Sequence, residues 1–256
     1  MEITSRSNEA VKRAKALSTR KGRQEQGLHL VEGAKLLREA VISGMILKEG
    51  FIEQGHELYE AVLVGSGATV HHVPHHVMEA ICDTKSPQWV CATVQTPSNA
   101  LPASFPSGMI VALDNLQDPG NLGAILRTAD AMGAAGILLS PGCTDPYSPK
   151  CIRSAMGSTY HLPVWQTKDL NDALQQLKND GYTCICGHLQ GQEALPHPTD
   201  RCVIVIGNEG NGVAEDTARL CALVRLPMYG QAESLNASVA AGILMYEVAK
   251  AMHQTK

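Results

Sequence analysis

The sequence predicts an α/β protein with a mostly parallel sheet in its larger, second part. Three observations lead there. Short runs rich in Val, Ile and Leu alternate with segments of helical spacing throughout residues 108–256. Hydrophobic residues are 44% of the 256-residue chain and charged residues 18%, which suits a packed core and excludes a disordered chain. Aromatics are only 4%, so aliphatic side chains must fill that core.

Residues 1–95 read as a first, smaller α/β domain. Arg6, Lys12, Arg13, Lys15, Arg20, Lys21 and Arg23 stand there against only Glu2 and Glu9 before residue 24. Ten of the 21 basic residues lie in the first 50, although the formal net charge is −4. This pattern suits a basic N-terminal arm that touches a polyanion, or equally a solvated helix face. EGAKLLREAVISG has helical spacing at Leu36, Leu37, Ala40 and Val41, with Gly44 as the stop. Strands are expected over 45–52, 68–73 and 89–94, and Pro74 opens a helix in PHHVMEAICD. His71, His72, His75 and His76 surround that proline. No Cys, Asp or Glu at matching spacing completes a metal site, so they read as surface histidines.

The segment 96–107 carries three prolines and reads as a linker to a second domain, 108–256. Strands are expected there at 109–114, 136–140, 161–165, 182–186, 201–207 and 223–228. Helices are expected in NLGAILRTADAMG, DLNDALQQLKNDG and SLNASVAAGILMYEVAKAMHQ. The eight cysteines lack any CxxC spacing and fit free thiols of a reducing cytosol. No apolar run approaches the roughly 20 residues that span a bilayer, and the N-terminus lacks a signal-peptide core. A cytoplasmic protein without membrane contact is expected.

Four segments could carry chemistry. In DNLQDPGNLGAILRTADAMGA (114–134) a strand ends at Asp114, a turn follows, and Asn121 suits an N-cap. Arg127 lies there among Ala124, Ile125, Leu126 and Ala129, where burial without a partner would be costly. CVIVIGNEGNGVAED (202–216) has G-x-x-G-x-G spacing, so the dinucleotide fingerprint is not met. Glu209 would repel a pyrophosphate, so the loop suits a ligand with neutral or cationic groups, or is a plain turn. In LVRLPMYGQAESLNASVAAGIL (223–244), Ser234 and Asn236 suit caps of a helix apolar on nearly all sides, buried in a core or a subunit interface. SPKCIRSAMGSTYHLPV (148–164) places Arg153 near a helix.

Taken together, NLGAILRTA, VIGNEGNG and LPM-(x)5-SLNASVAAG resemble the three motifs of SpoU-type (TrmH-like) RNA 2′-O-ribose methyltransferases of the SPOUT class. The resemblance covers 108–256, and IRSAMGSTYHLPV is similar to the family's segment between the first two motifs. GLHLVEGAKLLREA and ICDTKSPQWVCATV are similar to the L30e-like RNA-binding domain that precedes the catalytic one. One departure is Trp89 after Gln88, where glycine is more usual. The resemblance implies a sheet whose C-terminal part is threaded as a trefoil knot, against the general rule that chains do not knot. It also implies a homodimer, S-adenosyl-L-methionine as cofactor, and no metal. Asn121, Arg127, Glu209, Ser234 and Asn236 fall on the family's functional positions. Gly207, Asn208, Glu209, Gly212, Leu226, Met228, Ser234, Leu235 and Asn236 are expected to hold the cofactor. Lys12, Arg13, Lys21, Arg23 and Arg153 are expected to meet RNA. The implied activity is methylation of a ribose 2′-hydroxyl, with ribosomal RNA the expected target. A tRNA target, or a non-catalytic RNA-binding or ribosome-assembly role, are the alternatives.

Overall fold

A computed structural model describes residues 1–196 and 200–254. The chain divides into two compact units, Met1–Pro97 with Tyr147–Tyr160, and Ser98–Pro146 with His161–Lys256.

The first unit contains α1 (Glu9–Ala16), α2 (Arg20–Gln26), β1 (Leu28–Glu32), α3 (Ala34–Ile42), β2 (Leu47–Glu53), α4 (Glu60–Gly65), β3 (Thr69–Val73), α5 (His75–Ile81) and β4 (Val90–Gln95). Its sheet has the order β1-β4-β2-β3, with β2 and β3 parallel and the other pairs antiparallel. The basic N-terminus is not a free arm. Ile3 N donates to His72 O at 2.9 Å, and His72 N donates to Met1 O at 2.8 Å. Asn8 and Thr19 cap α1 and α2, and Gly27 ends α2 in the left-handed region at φ 62°. Val11, Ala14 and Leu17 are buried in one cluster with Val77 and Met78. This apolar stripe, beneath the charges, draws the helices onto the domain.

The second unit contains β5 (Gly108–Leu113), α6 (Pro119–Ala131), β6 (Gly136–Leu139), β7 (Val164–Gln166), α8 (Leu170–Asn179), β8 (Thr183–Gln192), β9 (Arg201–Ile206), α9 (Glu215–Arg219), β10 (Ala222–Val224) and α10 (Ala237–Gln254), while one further helix, α7 (Pro149–Ala155), lies between β6 and β7. The sheet order is β10-β8-β9-β5-β6-β7, and every pair is parallel. Strands buried on both faces explain the continuous apolar runs, such as Met109 to Leu113 and Cys202 to Ile206.

Three expectations change. Residues 147–160, expected in the second domain, pack with the first unit. Tyr147 and Ile152 are buried there beside Val31, Leu36 and Val90, and that apolar cover outweighs sequence proximity. The expected linker 96–107 is anchored at its C-terminal end: Phe105 is buried edge-on against Trp165 at 5.3 Å, and the Tyr182 hydroxyl donates to Pro106 O at 2.6 Å. β10 is shorter than 223–228 and β8 longer than 182–186, because the pairing slips after Leu223 so that Val224 meets Gln192. Pro227, lacking an N–H, cannot extend the ladder.

Candidate active site

The loops that follow β9 and β10, together with the end of β8, enclose a cavity of about 490 Å³ at the carboxyl end of the sheet. Ligand pockets commonly fall within about 300–1,000 Å³. Gly207, Asn208, Glu209 and Gly212 line it from the loop after β9. Leu226, Met228, Ser234 and Leu235 line it from the segment between β10 and α10. Gly187, His188, Leu189 and Gln190 of β8 also line it and were not foreseen; the glycine that ends the apolar run YTCICG was the available signal.

The loop after β9 is tight. A Cβ on Gly207 would lie 2.1 Å from the Gly212 carbonyl carbon, so only glycine fits there. Asn208 and Gly212 exchange two backbone hydrogen bonds of 2.9 and 3.0 Å, with Gly212 at φ 68°. The Asn208 carbonyl oxygen of the side chain accepts from the Gly210 and Asn211 N–H groups, while its amide donates to Asn115 O at 2.8 Å.

Asn121 is not the N-cap. Asp118 caps α6 by accepting from Asn121 N at 2.9 Å, with Pro119 in the first turn, where its missing N–H costs nothing. The Asn121 side chain is thereby free to bridge. Its Nδ2 donates to Glu209 Oε1 at 3.1 Å, and its Oδ1 accepts from Asn236 Nδ2 at 3.0 Å. Glu209 also accepts from the Asp118 and Gln117 N–H groups at 2.9 and 3.2 Å. Burial pushes the Glu209 carboxyl up, but the Asn121 amide and these backbone donors outweigh it, so its pKa lies below the usual carboxylate value. Asn236 caps α10, accepting from Ser238 N at 2.9 Å and Ser238 Oγ at 2.6 Å. Asn236 does not line the cavity itself, and Ser234 lines the cavity rather than capping the helix. A continuous chain of hydrogen bonds therefore joins Glu209, Asn121 and Asn236, one residue from each of the three loops.

Arg127 is exposed, while its neighbours Ile125, Leu126 and Ala129 are buried. It makes no hydrogen bond or ion pair among the described residues, so the expected burial does not occur. It sits six residues beyond Asn121, about 9 Å along the helix axis at 1.5 Å per residue.

The residues expected to meet RNA fare unequally. Arg23 is buried, with its guanidinium donating to Leu17 O at 2.8 Å and Ser18 O at 3.1 Å, so it closes the end of α1 and is not a phosphate contact. Arg13 pairs with Glu49 at 2.8 Å, Lys12 with Glu9 at 2.8 Å, Lys21 with Glu25 at 3.7 Å and Arg153 with Asp83 at 3.6 Å. Such exposed pairs are worth about 0–1 kcal/mol and open readily to a better anion. His71, read as a surface residue, is buried against Phe51 and bonded to Glu49. No cluster of three or more metal-ligating side chains occurs among the described residues. Nor, among them, is any helix long and apolar enough to cross a membrane.

A cavity at the carboxyl end of a parallel sheet, with a polar chain beside it, is where such folds bind their ligands. Residues 108–246 match the SpoU rRNA methylase family and residues 8–92 the MRM3-like substrate-binding domain. The chain belongs to the SpoU rRNA methylase family and is an RNA methyltransferase that uses S-adenosylmethionine. It is 33% identical over 251 residues to the 23S rRNA (guanosine(2553)-2′-O)-methyltransferase RlmP of Bacillus subtilis, covering 96% of this chain and 98% of that one. It is 34% identical to an uncharacterized tRNA/rRNA methyltransferase of Synechocystis, covering 96% and 92%. The crystal structure of an AdoMet-bound rRNA methyltransferase from Sinorhizobium meliloti superposes with a TM-score of 0.88 at 33% identity, covering 98% and 97%. The AdoMet complex of AviRb from Streptomyces viridochromogenes gives a TM-score of 0.85 at 26% identity, covering 95% and 97%.

Proposed function

We propose that this chain methylates a ribose 2′-hydroxyl in ribosomal RNA, acting as a cytoplasmic homodimer with a knotted catalytic domain of residues 108–256. The observation that carries the reading is the Glu209–Asn121–Asn236 chain beside the cavity. The cavity suits S-adenosylmethionine: apolar Leu226, Met228 and Leu235 can flank an adenine, glycine backbone permits close approach, and an ionised carboxylate suits a sulfonium cation. When bound, that cofactor supplies an electrophilic methyl carbon. The protein's part is to bring one hydroxyl oxygen in line with that carbon and to manage its proton. Glu209, held ionised, fixes the Asn121 amide, and Asn121 in turn fixes Asn236. Arg127 serves as a fixed positive charge, since an arginine side chain is not deprotonated in proteins. Its unpaired charge favours the developing alkoxide and can hold a neighbouring phosphate through two hydrogen bonds. The hydroxyl proton leaves to solvent or to a phosphate oxygen.

Ribosomal RNA is favoured over tRNA by the first unit. The full-length likenesses include proteins named as rRNA methyltransferases, whereas the A. aeolicus TrmH/SpoU tRNA-modifying enzyme covers only 59% of this chain at a TM-score of 0.52. The dimer is supported by α10, where Val239, Ile243 and Tyr246 are 49%, 40% and 54% exposed on a helix otherwise largely apolar. The direct test is methyl transfer from tritiated S-adenosylmethionine to RNA taken from cells lacking the protein. Label in ribosomal RNA is expected; label in tRNA alone, or in no RNA, would overturn the proposal.

A further inference from the structure

Away from the cavity, one end of the first unit's sheet carries an exposed aromatic pair. Trp89 stands just before β4, is 49% exposed, and lies parallel to the His56 ring at 4.4 Å with an interplanar angle of 9°. The backbone fixes this position: Trp89 O accepts from Glu53 N, and Val90 O accepts from Gly33 N, both at 2.8 Å. The loop before it is pinned by Glu32, which accepts from Thr84 Oγ1 and from Gln88 N. A Cβ on Gly33 would lie 2.1 Å from Gln88 Oε1, so the loop packs against the head of α3.

Three cations belong to the elements that meet at this end. Lys35 and Arg38 in the first turns of α3, and Lys85 in the pinned loop, are exposed and make no hydrogen bond or ion pair among the described residues. Acids belong to the same end, and of these only Asp83 has an arginine as partner. Glu53 pairs with His75 at 3.1 Å, Asp83 pairs with Arg153 at 3.6 Å, and Glu57 accepts from Gly55 N at 3.0 Å. A half-exposed indole adds little to the core, and His56 already covers one of its faces. The exposed half of the ring is a flat apolar platform, and Lys85 stands four residues before it in the same pinned loop.

We propose that Trp89, backed by His56, stacks an unpaired RNA base, with Lys85 of the same loop taking a phosphate beside it. This rests on the reading of the first unit as the RNA-binding part, and adds that it engages a single-stranded or bulged nucleotide rather than a smooth duplex. Stacking on an aromatic side chain suits any base, since each has a π face, and flanking cations draw the backbone. The match of residues 8–92 to an MRM3-like substrate-binding domain favours RNA over a partner protein as the occupant.

The chain contains two tryptophans, and the other, Trp165, is buried at 7% exposure, so a bound strand can stack only on Trp89, and the emission of Trp89→Phe supplies the Trp165 background to subtract. The full-length protein is titrated with end-labelled oligoadenylate and with a matching strand of abasic riboses, following both anisotropy and tryptophan emission. The expected result is quenching by oligoadenylate and none by the abasic strand. Trp89→Ala should weaken oligoadenylate binding about tenfold at constant salt, Trp89→Phe should recover most of it, and Lys85→Ala should lower the log–log salt slope by about one. Binding by anisotropy with unchanged emission, and equal affinity in Trp89→Phe and Trp89→Ala, would overturn the stacking while leaving the RNA-binding reading standing. No binding of either strand would overturn both.

Discussion

Gly207→Ala tests the cofactor loop most sharply, because the structure sets its cost. The new methyl group would lie 2.1 Å from the Gly212 carbonyl carbon, 2.2 Å from Val213 N and 2.3 Å from Gly212 O. All three are backbone atoms, so no side-chain rotation relieves the clash, and the loop must open. Overpacking of this kind costs about 1–3 kcal/mol. Opening also strains the two Asn208–Gly212 hydrogen bonds, each worth about 0.5–1.5 kcal/mol. The total is about 2–6 kcal/mol, and a loss of 2 kcal/mol at the binding loop alone weakens a ligand about 30-fold. Gly210→Ala is the matched control, since its nearest contact would be Asn208 Oδ1 at an ordinary 3.5 Å. Calorimetric titration with S-adenosylhomocysteine, alongside thermal unfolding, reads both. Gly207→Ala that folds and keeps a Kd within about twofold of the parent would refute the reasoning.

Arg127→Lys should retain measurable methyl transfer and Arg127→Ala lose most of it, with cofactor affinity unchanged in both; a pH–rate profile of Arg127→Lys that follows the lysine's own titration would show that residue 127 is the base. Ile243→Asp and Tyr246→Asp should sediment as monomers at micromolar concentration while the parent is a dimer; a monomeric parent contradicts the assigned interface. Burial, with the nearby Arg23 charge, lowers the His29 pKa to about 3, so the folded protein holds this ring neutral between Thr96 and Tyr160 where the unfolded chain protonates it. Stability should therefore fall by about 1.4 kcal/mol per pH unit from this group as pH drops from about 6.5 toward 3, and His29→Gln should remove that slope in acid-denaturation curves.

What the sequence revealed, and what it hid, divides along physical lines. The cavity loops were legible only through the resemblance of three motifs taken together, since local backbone demands alone left the glycine loop equally a plain turn; Gly207, Gly212 and Ser234 line one cavity. The cap of α6 was misplaced by three residues, since Asp118-Pro119 and Asn121 are both good starts; Asp118 takes the cap, and the Asn121 amide donates to Glu209 instead. Arg23 was misread because a charge count cannot see two backbone carbonyls waiting six and five residues upstream. The excursion of residues 147–160 onto the first unit was invisible for a different reason. Its apolar residues, Tyr147 and Ile152, announce burial but not the surface that buries them. The contribution of β8 to the cavity was hidden likewise, because its strand continues past Cys186 only through the slipped pairing with β10.

The central claim is that the cavity and its three-loop polar chain deliver a methyl group to a ribose oxygen. The measurement that tests it most directly is nucleoside analysis of ribosomal RNA methylated by the purified protein with labelled S-adenosylmethionine. The account predicts label in a 2′-O-methylated ribonucleoside at a single position, lost with Arg127→Ala. Label on a nucleobase would contradict it.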